Sequence, residues 1–142
     1  MSKTLYGLRY IIQERTRQVS SEGFKQSDDD KYVKGELARA AYAYESSAEE
    51  IYKTHAVPTV APDYWPFDKS WFKSHSSFRD LVKAGALYMA EAERAERAGD
   101  VGASLMARSL VQHVSALLDC AALLGSSEEK IRDKFNEPPH PH

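Results

Sequence analysis

No run of apolar residues in this sequence approaches the roughly 18 that a membrane-crossing helix needs. Its opening residues also lack the cationic stretch followed by an apolar core that marks a secretory leader. No membrane partner is expected, and the expected location is the cytoplasm. Cysteine is nearly absent. Cys120 stands alone, so no intramolecular disulfide can form, and its apolar surroundings predict a small buried hydrophobe in a reducing compartment rather than a nucleophile. An excess of one charge is missing too. Nineteen Lys and Arg against 21 Asp and Glu, mixed along the chain, give a net charge of −2. That balance leaves no electrostatic footprint for duplex nucleic acid or an anionic membrane. No Gly-rich phosphate loop and no Gly-x-Ser-x-Gly elbow occurs, and His55 and His75 lack metal-ligand spacing, which sets aside P-loop and hydrolase-triad chemistry.

What remains is helical. The chain of 142 residues, 42% apolar, fits one domain over 1–142 with enough apolar material for a core. Residues Lys3 to Val19 carry Leu5, Leu8, Ile11, Ile12 and Val19 at helical spacing, which predicts an amphipathic first helix with Glu14, Arg15, Arg17 and Gln18 on its remaining surface. A second helix is expected from about Val33 to Thr54. A third starts near Ser77 or Phe78 and stops at Gly99, a C-terminal glycine that Asp100 follows as a candidate cap. The tight turn predicts antiparallel neighbours. A fourth helix from Val101 to Leu124 shows Leu105, Met106, Leu110, Val114, Leu117, Leu118, Ala121 and Leu124 on a broad apolar side. Ser126 with Glu129 matches a capping box for a short fifth helix carrying Ile131 and Phe135, before a Pro-rich tail at 137–142. The expected fold is all-α, a four-helix bundle-like domain with a short C-terminal helix.

Between the second and third helices, Pro58, Pro62 and Pro66 break regular structure, yet Tyr64, Trp65, Phe67, Trp71 and Phe72 crowd the same stretch. Disordered linkers are poor in aromatics, so an ordered loop folded over the bundle is expected. These rings have two readings. Trp65 and Trp71 suit stacking on a nucleobase, with Lys69 and Lys73 near phosphates; alternatively the rings close the core.

The acids are the other chemical feature. Asp80, Leu87 and Glu91 share one stripe of the third helix, and Glu36 heads a close-packing surface of Ala, Leu and Tyr on the second. If those two helices lie side by side, Glu36 and Asp80 meet and need a compensating cation, which could be Mg²⁺, Lys83, Arg39 or Arg79. The other reading makes Glu36 and Asp80 helix-start acids favoured by the helix dipole. Glu45, Glu49, Glu93 and Glu96 read as a solvated face with local ion pairs.

The order Glu14-Arg15-Thr16-Arg17-Gln18, Glu22-Gly23-Phe24, Asp28-Asp29-Asp30, Gly35-Glu36-Leu37-Ala38, Trp65-Pro66-Phe67-Asp68 and Arg79-Asp80-Leu81-Val82-Lys83-Ala84-Gly85-Ala86-Leu87 resembles a family of small phage and prophage proteins, over roughly residues 8 to 97. More distantly, the layout is similar to phage members of the MazG-like all-α nucleotide pyrophosphatases. That second resemblance implies cleavage of a nucleoside triphosphate between its α and β phosphates, with Mg²⁺ held by a Glu-x-x-Glu pair on one helix and a Glu-x-x-Asp pair on the next. Here Arg39 follows Glu36 at the paired position and Lys83 follows Asp80, so the implied acid set is depleted.

Two classes of function follow. One is a phage-type protein that binds a nucleotide in an acidic and aromatic pocket, either as an altered Mg²⁺-dependent pyrophosphohydrolase or as a binder that has lost hydrolysis. Its candidate residues are Trp65, Lys69, Trp71 and Lys83 for the nucleotide and Glu36, Asp80 and Glu91 for the metal. The other is a non-enzymatic interaction or anti-defence protein that binds a host macromolecule or a signalling nucleotide. Val101, Ala107, Val111 and Ala122 extend the apolar character of the fourth helix beyond one stripe, which predicts a homo-oligomer, most simply a two-fold dimer.

Overall fold

In the computed structural model, residues 6–21 and 26–123 are described, and they form four α-helices, two short 3₁₀ turns and no strand. Helix α1 spans Gly7–Ser21, α2 Glu36–Thr54, α3 Ser77–Arg97 and α4 Val101–Leu123, with 3₁₀ turns at Gln26–Lys31 and Lys69–Trp71. This is the expected all-α bundle. Glu22, Gly23 and Phe24 of the family-like pattern, the expected fifth helix and the Pro-rich tail lie outside the described residues.

Local chemistry explains most of the boundaries. Ser76 caps α3 by accepting from the Arg79 backbone N–H at 3.1 Å, and Gly99 takes φ 76° just beyond its end, a backbone turn that costs glycine little. Asp100 then caps α4 through the Ala103 N–H at 3.1 Å. Helix α2 begins at Glu36, three residues later than its apolar pattern suggests, after Gly35 in the left-handed region.

Helix α3 is the central element, packed by α1, α2, α4 and the acidic 3₁₀ turn. Its buried residues include many small ones, Ala84, Gly85, Ala86, Ala90, Ala92 and Ala95 among them, so neighbouring backbones can approach closely. Gly85 shows how closely: a Cβ there would stand 2.5 Å from Cδ1 of Ile11 on α1. On the other flank α4 buries Ala107, Val111, Val114 and Leu118, the Val and Leu side chains each contributing about 1.5–3 kcal/mol as they leave water. The first turn of α1 is tied to α4 by the Gly7 N–H, which donates to Asp119 at 2.8 Å.

Helix α1 departs in part from the expected facing: Ile11 is buried, as its apolar spacing predicts. Glu14, Arg15 and Gln18 are buried, Glu14 completely, while Leu8 and Ile12 remain 45% and 46% exposed. The reason lies on the neighbouring elements, which offer charged partners to the polar stripe. One further expectation fails on α4: Cys120 is exposed rather than buried. Leu105, Met106 and Leu117 of its broad apolar side face out of the chain.

The aromatic segment between α2 and α3 is ordered against the bundle. Tyr44 of α2 stacks on Phe72 at 5.1 Å and meets Trp65 edge-on at 5.5 Å, and the Trp65 indole N–H donates to the Asp68 carbonyl at 2.9 Å. Trp65 and Phe72 join the core, while Trp71 stays half exposed.

Candidate functional site

A cavity of about 650 Å³ opens where the aromatic segment, the acidic 3₁₀ turn and three helices meet. Tyr32, Trp65, Phe67 and Trp71 make one wall, Leu37, Leu87 and Ala90 lie along the bundle, and Arg15, Gln18, Asp28, Asp29 and Lys31 bring charge and hydrogen-bonding capacity. The rings support one another edge to face: Tyr32 on Phe67 at 5.2 Å and Trp65 on Phe67 at 5.6 Å, geometries favoured by the ring quadrupoles. The volume lies within the roughly 300–1,000 Å³ of small-molecule sites, and a mostly apolar lining with few polar groups is their usual chemistry.

Ion pairs hold the charged side in place. Arg15 donates to Asp29 at 3.1 Å and to Glu93 at 2.9 Å, which ties the 3₁₀ turn to α1 and α3. Arg97 reaches Asp30 at 2.8 Å and strengthens the same junction. Burial pushes the Asp29 carboxyl above its ordinary range, against the opposing pull of Arg15.

Deeper between α1 and α3 lies a second ionic group. Glu14 accepts from Arg17 at 2.8 and 3.0 Å, from Arg79 at 3.3 Å and from Gln18 at 3.4 Å. Burial alone would raise the Glu14 carboxyl, but Arg17 and Arg79 together outweigh it and hold it below its ordinary value.

A third polar group surrounds the start of α3. Asp80, fully buried, accepts from the Ser74 hydroxyl at 2.6 Å and from the His75 backbone N–H at 3.0 Å, and Ser74 shares a 2.6 Å hydrogen bond with Ser47 of α2. Burial raises the Asp80 carboxyl, since its donors are mostly neutral. Lys83, also fully buried, donates to the Lys73 carbonyl at 2.8 Å and lies 5.1 Å from the Tyr44 ring centroid. Burial lowers its ammonium to about 8, with Asp80 opposing that loss.

The expected metal ligands do not converge. Glu36 sits at the start of α2 and accepts from the Lys34 N–H at 2.6 Å. Asp80 lies beside Ser47, eleven residues further along α2, or roughly 16 Å by the helical rise. Because α2 and α3 run antiparallel, the two acids stand at opposite ends of their interface. Glu91, eleven residues beyond Asp80 on α3, pairs with Arg94 at 2.6 Å. Among the described residues no group of three metal-ligating side chains could hold an ion, so this donor set does not fit Mg²⁺ and no reaction step is derived through it.

The expected nucleotide ligands divide. Trp65 and Trp71 line the cavity, whereas Lys69 is exposed on the neighbouring 3₁₀ turn and Lys83 is buried beneath Tyr44; neither lysine lines it. Among the acids expected on a solvated face with local pairs, Glu49 pairs with Lys53 one turn on at 2.8 Å as expected, whereas Glu96 pairs with Arg108 of α4 and Glu93 with Arg15 of α1. Glu45 instead accepts from the Tyr88 hydroxyl at 3.0 Å and stands 3.5 Å from the half-exposed His113.

Arg15, Gln18, Lys31 and Tyr32 were not among the candidate ligands, and they supply much of the cavity. A signal existed for two of them. Ile11, Glu14, Arg15 and Gln18 follow the 3–4–7 spacing of one helical stripe, so a buried Ile11 carries the polar residues inward with it. No protein-family model, curated protein or solved structure matches this chain.

Proposed function

We propose that this protein binds a nucleotide in the cavity between the aromatic segment and the acidic 3₁₀ turn. The observation that carries the reading is the pairing of an aromatic wall, Tyr32, Trp65, Phe67 and Trp71, with a charged wall of Arg15, Lys31, Asp28 and Asp29 around about 650 Å³. Ring faces accept any nucleobase, and each stack contributes about 1–3 kcal/mol. Asp28, Asp29 and Gln18 supply hydrogen-bonding groups for a base edge or ribose, and Lys31 a cation for phosphate. Lys69 and Lys73 are exposed on the segment that carries Trp71 and add positive charge nearby. The resemblance to phage proteins and to MazG-like enzymes supports a nucleotide as ligand. It does not supply a catalytic assignment, because the acids it implies are individually satisfied by protein donors.

Both tryptophans of the chain line this cavity, which makes their emission the direct probe. Titration with ATP and GTP without metal is expected to quench it saturably, and Trp71→Ala to weaken the affinity about tenfold. Absence of saturable quenching with either nucleotide, or an unchanged affinity in Trp71→Ala, overturns the reading.

The proposal extends to assembly. On α4, Val101, Leu105 and Met106 are each more than 60% exposed, and Met106, Leu110 and Leu117 follow one stripe by steps of four and seven. A second copy of the chain covering this face forms a homodimer. Light scattering is expected to give twice the chain mass, and a concentration-independent monomer mass refutes it.

A further inference from the structure

The segment from Trp71 to His75 leaves the 3₁₀ turn, where the Trp71 and Phe72 N–H groups donate to the Asp68 and Lys69 carbonyls at 3.0 and 3.2 Å, and beyond it is held by side chains. The Tyr44 hydroxyl accepts from the Lys73 N–H at 3.0 Å and donates to the Trp71 carbonyl at 3.5 Å. Lys83 takes the Lys73 carbonyl, and Asp80 takes the His75 N–H and the Ser74 hydroxyl. Two helices therefore reach out to grip one five-residue strap.

Trp71 is the reason this grip matters. Trp71 is 51% exposed and its ring centroid lies 6.0 Å from that of Phe67 in a tilted pair, so little hydrophobic burial fixes its position. Phe72, next in the chain, is buried against Tyr44 and Trp65 and would secure the strap in the core with no charged group at all. An apolar side chain of similar length would fill the Lys83 site at no desolvation cost, but it would take the donor from the Lys73 carbonyl and the nearby cation from Asp80. What Lys83, Asp80 and Tyr44 add beyond packing is direction: they set the backbone on both sides of Phe72 and hence where Trp71 points.

The geometry points to Tyr44, Asp80 and Lys83 as positioning residues that hold the 71–75 strap so that Trp71 stands as a wall of the cavity. This assignment rests on the cavity being the ligand site. It gives Asp80 and Lys83, which stand away from the ligand, control over ligand affinity through the backbone of a neighbouring segment.

Iodide quenching of tryptophan emission tests it, because Trp65 is buried and Trp71 is the ring that iodide reaches. The variants are Lys83→Met, which keeps the length and loses the donor, and Tyr44→Phe, which keeps the ring and loses the hydroxyl. Both are expected to retain helical circular dichroism, to change the iodide quenching constant, and to weaken ATP binding about tenfold, the effect of a misplaced base stack. An unchanged quenching constant in both folded variants overturns the proposal, and so does loss of helical structure in both, since the groups would then hold the fold and not the strap. If wild-type protein shows no saturable ATP binding, the cavity reading fails, and the quenching comparison still decides whether these residues set Trp71.

Discussion

Helices α1 and α4 both lean on α3, yet they turn opposite kinds of surface toward the interior. Helix α4 buries Ala107, Val111, Val114 and Leu118, as a helix with an apolar stripe should. Helix α1 buries Glu14, Arg15 and Gln18 and leaves Leu8 and Ile12 half exposed. The difference is one of partners. Arg79 of α3 meets Glu14, and Asp29 and Glu93 meet Arg15, so the polar stripe is fully engaged and the cost of stripping its water is offset pair by pair. Such an interface is unforgiving, because removing one member takes a charged partner from a buried group, whereas the aliphatic interface loses contacts in proportion to the atoms removed.

The largest expected effect breaks the ionic side. Glu14→Ala leaves Arg79 without its carboxylate in a buried site and should cost about 3–5 kcal/mol, read from urea unfolding at neutral pH. A cost near zero would mean that the polar stripe is wet and that the contrast with α4 is superficial. On the aliphatic side, Leu118→Ala should cost about 2–3 kcal/mol through lost transfer energy and a residual cavity.

Titration sharpens the contrast between the two kinds of buried charge. Glu14 has a folded pKa below its ordinary 4.5. Its contribution is therefore complete above that value and lost as pH falls through the folded pKa. Glu14→Gln should flatten the acid limb of the stability profile. Lys83 has the opposite sign: its folded pKa of about 8 lies below the ordinary 10.5, so the unfolded chain binds the extra proton between those values and the Lys83 contribution rises with pH there. In Lys83→Met that rising component should vanish, and an identical alkaline profile would show that Lys83 is not desolvated.

The smallest effect belongs to the outer face of α4. Leu105→Glu should change the stability of the isolated chain by no more than about 0.5 kcal/mol, since it alters an exposed position. If the face is a dimer contact, the same change converts the mass in light scattering from two chains to one.

Much of the fold was legible in the sequence because it depends on local spacing and capping. The start of α3 near Ser77, the Gly99 turn that ends it and the Asp100 cap that opens α4 were all readable. The aromatic content of the segment between α2 and α3 announced an ordered loop, and Trp65 and Trp71 were identified as rings that belong together. The metal candidates failed for a reason that spacing cannot reveal. Glu36 and Asp80 each occupy a plausible face of a helix, but the register of one helix against the other puts them at opposite ends. Asp80 was recognised as an acid in need of a compensating cation, with Lys83 among the candidates, while the backbone groups these two hold come from a segment whose path was unknown.

The sequence by itself determined the number and extent of the main helices, the position of the aromatic segment and the presence of charges on stripes that enter the interior, since all of these follow from periodicity and from residues one turn apart. Only the tertiary structure decided which stripe of α1 faces inward, which acids find arginine and which find hydroxyl or backbone donors, and that Trp65 and Trp71 share a cavity with Arg15 and Lys31. Those outcomes depend on the register and crossing of helices distant in the chain, and a displacement of one helical turn, about 5.4 Å, is enough to exchange one charged partner for another.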